Sequence, residues 1–263
     1  MQTLDDDGFL TGAIGGWVFE HRNHHLAEVS DAEELNRICH QFLSERQVDL
    51  GDTRQIVVSV LFARMMELYQ SVLLLTYRGM MSASAIQFRA LIEAYFHFEA
   101  IRNDPLYLDE FIDHFHVDRV RLGAGIARSE SESLANLREY FTKERIESAK
   151  RDKDAVGAKK ITTEEAAKRG GNEGIYRTAY ALLSAEVHTS ARSLESHLWW
   201  DDESNKITGF RYGPEEYNYS RYLGLSIEML AECLEEACRI FGEQLPVEAM
   251  TIKKRQHDRL MSA

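Results

Sequence analysis

Arg89, Glu93 and His97 stand at i, i+4 and i+8 in the stretch Ser82 to Asn103, SASAIQFRALIEAYFHFEAIRN. At about 100° per residue their side chains share one line on a helix. Ile86, Ala90, Ile92 and Phe96 flank that line, and most of the remaining surface is apolar. A helix that is hydrophobic on most faces belongs in the middle of its domain, so the polar stripe is expected to meet a neighbouring helix or a pocket. A second stripe lies far downstream. If Asn172 to Leu198 is one helix, Arg177, Ser184, His188 and Glu195 fall within about 20° of one line, interleaved with Ala181 and Ala191. Small residues beside polar ones let another backbone come close, which would bring Ser184 and His188 to Arg89, Glu93 and His97.

An arginine presents a forked, permanent charge suited to phosphate, and histidine exchanges protons near neutral pH. Cutting an RNA phosphodiester needs a base for the 2′-hydroxyl, an acid for the leaving oxygen and positive charge at the phosphoryl oxygens. Arg89 as phosphate holder, His97 and His188 as acid and base, and Glu93 and Ser184 as orienting groups would supply these without metal. The same residues have a plainer reading. An Arg–Glu pair at i, i+4, tied to a histidine and a serine, satisfies its own hydrogen bonds and sets helix register.

Two histidine groups raise metal chemistry. In Trp17 to Glu28, read as a short helix, Glu20 lines up with His24, His21 with His25 and His24 with Glu28. Such a cluster could grip zinc or nickel, although a solvated face with incidental histidines needs no metal. Glu110, His114 and His116 offer a carboxylate and imidazoles, but the chain lacks the Glu-x-x-His spacing of di-iron bundles. No metal ligand and no cofactor is assigned from the sequence. The basic residues between Arg138 and Lys160, with Tyr140 and Phe141 among them, could touch nucleic acid. Glu139, Glu144, Glu147, Asp152 and Asp154 interrupt them, as on a solvated face.

The elements that must position these groups are helical. Ser30 and Glu33 form a capping-box pattern opening a helix to about Gln47, with Leu35, Ile38, Cys39 and Phe42 on one face. Gly51 marks a turn. A long helix follows from Thr53 to Tyr77, ended by Gly79. The central helix should pair with it as an αα-hairpin. Asp104 and Pro105 open the next helix, to about Arg128, with Gly123 and Gly125 as kink candidates. From Ser129 to Gly171 the chain is charged and poor in core residues, helical to about Lys150 and then an exposed excursion with a turn capped by Thr162 and Glu165. Trp199 to Gly213 suggests a β-hairpin, Pro214 opens a last long helix to about Phe241, and a basic tail follows Pro246.

Composition narrows the function classes. The 263 residues include 44% hydrophobic side chains, enough for a sizeable core. A formal net charge of −12 repels nucleic acid and anionic membrane at long range, so phosphate chemistry needs a local basic patch. Cys39, Cys233 and Cys238 form neither a disulfide framework nor a metal spacing and read as reduced, buried thiols. The N-terminus MQTLDDDGFL opens acidic. No apolar run approaches the about 18 residues of a membrane span, Thr53 to Tyr77 being interrupted by Arg64 and Glu67. A cytoplasmic protein without a membrane partner is expected.

The pattern R-A-L-I-E-A at Arg89 to Ala94, preceded by G-M-M-S-A-S-A-I-Q at Gly79 to Gln87, resembles an uncharacterised bacterial family of helical domains of unknown function. In that family an Arg-x-x-x-Glu helix is followed far downstream by one like Y-A-L-L-S-A-E-V-H at Tyr180 to His188. The resemblance covers about Arg54 to Phe241. More distantly the arrangement is similar to HEPN domains, helical dimers that act as metal-independent ribonucleases or as partners of nucleotidyltransferases. That likeness implies a role in toxin–antitoxin or anti-phage defence. HEPN enzymes place histidine after four to six intervening residues; here seven separate Arg89 from His97 and ten separate Arg177 from His188.

The sequence therefore predicts an all-α, up-and-down bundle of six to seven long helices with a small β-hairpin before the last. One domain is expected over residues 30–245, with an N-terminal extension (1–29), the charged excursion (129–171) and a basic tail (246–263). The leading expectation is a homodimeric HEPN-like effector that binds or cuts RNA, a metal-independent endoribonuclease if it is an enzyme. One alternative is a non-catalytic module that contacts a protein partner through 129–171. The other is a metal-dependent helical-bundle enzyme resting on His21, His24, His25, His114 and His116.

Overall fold

The computed structural model describes residues 8–188, 191–201 and 203–262, so the acidic first seven residues of the expected extension lie outside the described residues. The architecture is all-α with one two-stranded hairpin, as expected from the helical periodicity. Two compact units divide the chain: Met1–Phe98 with Glu173–Ala263, and Glu99–Asn172.

In the larger unit the helices are α1 (Ile14–His24), α2 (Leu26–Glu45), α3 (Thr53–Tyr77) and α4 (Met81–Asn103), whose last turn belongs to the smaller unit. Asp52 caps α3, its carboxylate accepting from the Arg54 and Gln55 amides. By length and composition α3 alone among the described residues could cross a membrane, with a mean hydropathy of 1.5. Here it is a core helix. Its buried Phe62, Met65, Tyr69 and Val72 pack among Leu35, Cys39 and Phe42 of α2 and Phe98 of α4, and the Tyr69 hydroxyl donates to the Ala32 carbonyl. The central helix α4 buries Phe88, Leu91, Ile92, Tyr95, Phe96 and Phe98, which is why it reads as apolar nearly all round.

After α4 the chain returns to the larger unit as α9. This helix begins at Glu173–Ile175, opens into a π-helical turn at Tyr176–Tyr180 and closes over Ala181–Val187. A short helical turn (Ala191–Leu194) and a 3₁₀ turn (Glu195–His197) lead into β1 (Leu198–Asp201) and β2 (Lys206–Phe210). The strands pair antiparallel, Leu198 with Phe210 and Asp201 with Lys206, with a bulge between Trp199 and Trp200. Helix α10 (Tyr219–Ile240) packs on α3 and α2, with Phe88 of α4 against Tyr222 at 5.3 Å. Helix α11 (Val247–Ser262) closes the unit.

Four expectations shift. Helix α2 starts at Leu26 rather than Ser30, because the chain breaks at His25 (φ −106°, ψ 33°) and Val29 and Ala32 must be buried; the capping-box pattern lies inside the helix. The long helix expected to Leu198 is interrupted by the π turn and ends at Val187. The helix expected from Pro214 starts five residues later, at Tyr219, because Asn218 before it is in the left-handed region (φ 61°); the Glu215 amide donates to the Gly79 carbonyl (3.0 Å). The basic tail is helix α11. Ala249, Ile252 and Gln256 give it a buried face, and Arg255 and Arg259 (Nη2 to Oδ2, 2.8 Å) both bind Asp31, which is 4% exposed.

The smaller unit holds the end of α4, then α5 (Tyr107–Arg128), α6 (Ala135–Tyr140), α7 (Lys143–Ala155) and α8 (Thr163–Arg169). The charged stretch is thus helical, with Ala149, Ile161, Ala166 and Ala167 turned inward. Thr162 caps α8 by accepting from the Glu165 amide (3.1 Å), as its spacing predicts. Gly123 does not interrupt α5; it makes room for the Phe141 ring. Arg169 fastens the unit: Nε donates to Asp104 (2.7 Å), Nη1 to Glu110 (2.5 Å), and the guanidinium lies 4.6 Å over the Tyr107 ring.

Two tests follow from this packing. Gly79 has φ +68°, and a Cβ there would stand 2.7 Å from the Glu215 nitrogen and 2.8 Å from both Pro214 and Trp17. Gly157 has φ +65° but open space around it. Gly157→Ala is expected to cost only the left-handed penalty of about 1–2 kcal/mol, and Gly79→Ala clearly more, read as shifts in urea midpoint. In the smaller unit, the Arg169 hydrogen bond holds the Asp104 carboxyl below its ordinary range. That contribution is complete above the unfolded pKa of about 3.9 and drains away as pH falls through the lowered native value. Arg169→Gln should flatten this acid-side slope, measured by denaturant melts down a pH series.

Candidate functional site

The two polar stripes meet in the larger unit. Arg89 of α4 donates from Nε to the Ser184 hydroxyl (3.0 Å) and from Nη2 to the Tyr180 hydroxyl (2.5 Å), both on α9. Tyr180 passes its own proton toward Glu93 Oε2 (3.0 Å), and Ser184 donates to the Tyr180 carbonyl (2.9 Å). The Arg89 Nη1 to Glu93 Oε2 separation is 3.6 Å, too long for a direct hydrogen bond, so Tyr180 bridges the charges. The guanidinium also lies 4.3 Å over the Tyr180 ring.

Local sequence explains why Tyr180 is there. Gly174 weakens the first turn of α9, and the Thr178 hydroxyl donates to the Gly174 carbonyl (2.7 Å), a contact that bends helices. The chain widens into the π turn, a form that recurs at functional sites. Tyr176 and Tyr180 then stack at 5.3 Å, with Phe96 of α4 5.8 Å from Tyr180. Tyr180 is buried, while Arg89 and Glu93 are partly open at 21% and 39% side-chain exposure.

The structure joins Arg89, Glu93 and Ser184, and adds Tyr180, which the sequence reading quoted only within a motif. Its position four residues before Ser184, 40° from the stripe at about 100° per residue, was the available signal. His97 stands half-buried on α4, two turns or about 12 Å along the axis from Arg89. His188 is exposed in the turn that ends α9, and among the described residues no hydrogen bond or ion pair ties it to the four. The wider π turn rotates Arg177 off the face; it is exposed and 3.7 Å from Glu173. Glu195 lies beyond the helix in the 3₁₀ turn.

On the adjoining face of α9 a cavity of about 420 Å³ is lined by Phe88, Leu182, Leu183, Tyr217, Arg221 and Tyr222. Burial pushes the Tyr217 and Tyr222 phenols up, so both stay protonated donors at neutral pH. Among the histidines and carboxylates considered for metal, Glu110 is taken by Arg169. His114 Nδ1 accepts from the Ile161 amide (3.0 Å), so neither is placed for the other.

An all-helical unit with an Arg–Tyr–Glu–Ser cluster between a core helix and a π-bulged one defines the class of domain here. The chain belongs to the Family of unknown function (DUF5677), whose profile matches residues 55–207, more than half of its length. That span takes in Arg89, Glu93, Tyr180 and Ser184. No curated protein and no solved structure matches the chain. The comparisons show no similarity to HEPN domains; the likeness is one of helical arrangement, and neither Arg–His spacing matches theirs.

If Tyr180 bridges the charges, Tyr180→Phe leaves Arg89 and Glu93 without their shared partner and should cost about 1–3 kcal/mol. Arg89→Gln and Tyr180→Phe should be non-additive by more than about 0.5 kcal/mol in a double-mutant cycle. Additive losses would mean that the hydroxyl is not the link.

Proposed function

We propose that the protein is a non-catalytic helical interaction module in which the Arg89 cluster is a structural clasp. The observation that supports it is the pairing of both hydroxyls: the guanidinium donates to each, and each in turn donates within the cluster. A group arranged to move protons onto a substrate would keep an acceptor or donor turned outward. The larger unit also displays Trp199, Trp200, Ile207 and Phe210 of the hairpin, each about half exposed or more. Tryptophan and tyrosine dominate protein interfaces, and a second copy of the chain is the partner the reading adopts. The charged stretch 129–171, expected as the partner surface, buries Ala149, Ile161, Ala166 and Ala167 but leaves Leu137, Tyr140 and Val156 exposed.

A second reading keeps the RNA-binding or RNA-cleaving effector of HEPN type, with a role in toxin–antitoxin or anti-phage defence. One observation favours it: Arg89 and Glu93 are only partly covered, with an oriented hydroxyl between them. In that reading Tyr180 takes the proton-transfer role expected of His188.

One experiment separates the two. EDTA-treated protein is incubated with total RNA beside Arg89→Ala, His97→Ala and Tyr180→Phe, with thermal melts on the same samples. The module reading expects no cleavage and earlier melting of Arg89→Ala and Tyr180→Phe. Chelation-resistant cleavage leaving 2′,3′-cyclic phosphate ends, lost in variants that still melt normally, would replace it with the ribonuclease reading. Light scattering should report a dimer that Trp200→Ser with Phe210→Ser converts to monomer.

A further inference from the structure

On a continuous helix neighbouring residues point about 100° apart and cannot share a ligand. His24 and His25 escape that rule because the chain breaks between α1 and α2 at His25. Their rings lie 4.8 Å apart and 19° from parallel, turned toward the same carboxylate, that of Glu216 in the segment before α10. His25 Nε2 is 2.9 Å and His24 Nδ1 3.3 Å from Glu216 Oε1, and one ligand atom from each of the three residues lies within 4.8 Å of the others. His21 Nε2 approaches the second oxygen, Oε2, at 3.6 Å.

We infer that His24, His25 and Glu216 form a binding site for a divalent transition-metal ion of the zinc class, with His21 beside it as a fourth or outer group. Zinc bonds of about 2.0–2.1 Å require neighbouring ligand atoms about 3.3 Å apart in a tetrahedron, close to the separations from Glu216. Nitrogen and carboxylate donors suit zinc more than calcium or magnesium.

The outer contacts fix the ring states. His21 Nδ1 lies 2.9 Å from the Trp17 carbonyl, which can only accept, so Nδ1 donates there and the other ring nitrogen, Nε2, faces Glu216. His25 Nε2 lies 2.9 Å from Glu216 Oε1, which can only accept, so without metal Nε2 donates there and Nδ1 lies 3.0 Å from the Ser220 hydroxyl; a metal ion would take the place of the Nε2 proton. A metal-bound histidine almost always gives its other N–H to a carbonyl or similar acceptor. Aromatic packing sets the rings in advance: Trp17 stacks on His21 at 3.8 Å and Tyr219 on His25 at 4.5 Å. His24 is 71% exposed, which leaves one side open to water. The ion would tie α1 and α2 to the start of α10, and the inference is independent of the Arg89 clasp.

The test uses full-length protein stripped with EDTA, dialysed free of chelator and titrated with zinc chloride by calorimetry, with bound metal counted by mass spectrometry. One zinc per chain and a raised melting temperature are expected, and cobalt(II) in its place should give the visible absorption of a tetrahedral site. His24→Ala removes an exposed side chain and should leave the fold intact while abolishing uptake; Glu216→Gln should do the same. Ser220→Ala should weaken binding about tenfold, and His188→Ala should change nothing. Folded wild-type protein that takes up no zinc overturns the inference. So does uptake that survives both His24→Ala and Glu216→Gln.

Discussion

A guanidinium set into the wall of a core helix needs acceptors, and the way Arg89 finds them organises the middle of the larger unit. Its neighbour on α4, Glu93, is 3.6 Å away, beyond direct hydrogen bonding. The missing contact comes from another helix: Tyr180 accepts from the arginine and donates to the glutamate. This makes α9 answer to α4 at one register only. Sliding α9 by one residue would turn Tyr180 and Ser184 away and leave a partly buried charge unpaired, at a cost of several kcal/mol. The π turn is the local concession that allows this register, widening the helix where Tyr176 and Tyr180 stack.

The fold class was legible because it rests on periodicity. The stripe of Leu35, Ile38, Cys39 and Phe42 marks a helix whatever it packs on. The meeting of Arg89 with Ser184 was also legible, since small residues beside Ser184 imply close approach. Two kinds of information were not. A π turn changes the angle per residue inside a helix, so every projection through it slips, and Arg177 and Glu195 leave the face on which ideal geometry placed them. Glu216 is about 190 residues from the histidines it meets, a distance across which spacing carries no signal.

Charged residues misled in a consistent way. Arg255 and Arg259 belong to the segment read as a basic tail, and Asp31 lies on α2. Together they form a buried carboxylate met by two guanidinium groups, and α11 exists as a docked helix because Asp31 must be paired there. Asp104, Glu110 and Arg169 repeat the pattern in the smaller unit. In both places long-range ion pairs fasten a segment whose apolar content alone is modest. Sequence patterning treats such residues as surface because nothing local distinguishes a paired carboxylate from a hydrated one.

The irregular segment between β2 and α10 shows what regular structure would forbid. A helix from Pro214 would leave the Glu215 amide, in its first turn, without an intrahelical partner and would point Glu215 and Glu216 about 100° apart. In its place, Glu215 gives its amide to Gly79 and its carboxylate to Arg211 (2.9 Å), while Glu216 serves the histidines. The adjacent carboxyls are driven in opposite directions, Glu215 upward by burial and Glu216 downward by the His25 hydrogen bond. Asn218 closes the segment in the left-handed region, φ 61°, so that Tyr219 enters α10 facing His25. Eight residues without helix thus fasten the end of α3, the α1–α2 break and the start of α10. Gly79 is required at the same point, because the approach of Pro214 and Glu215 leaves no room for a Cβ.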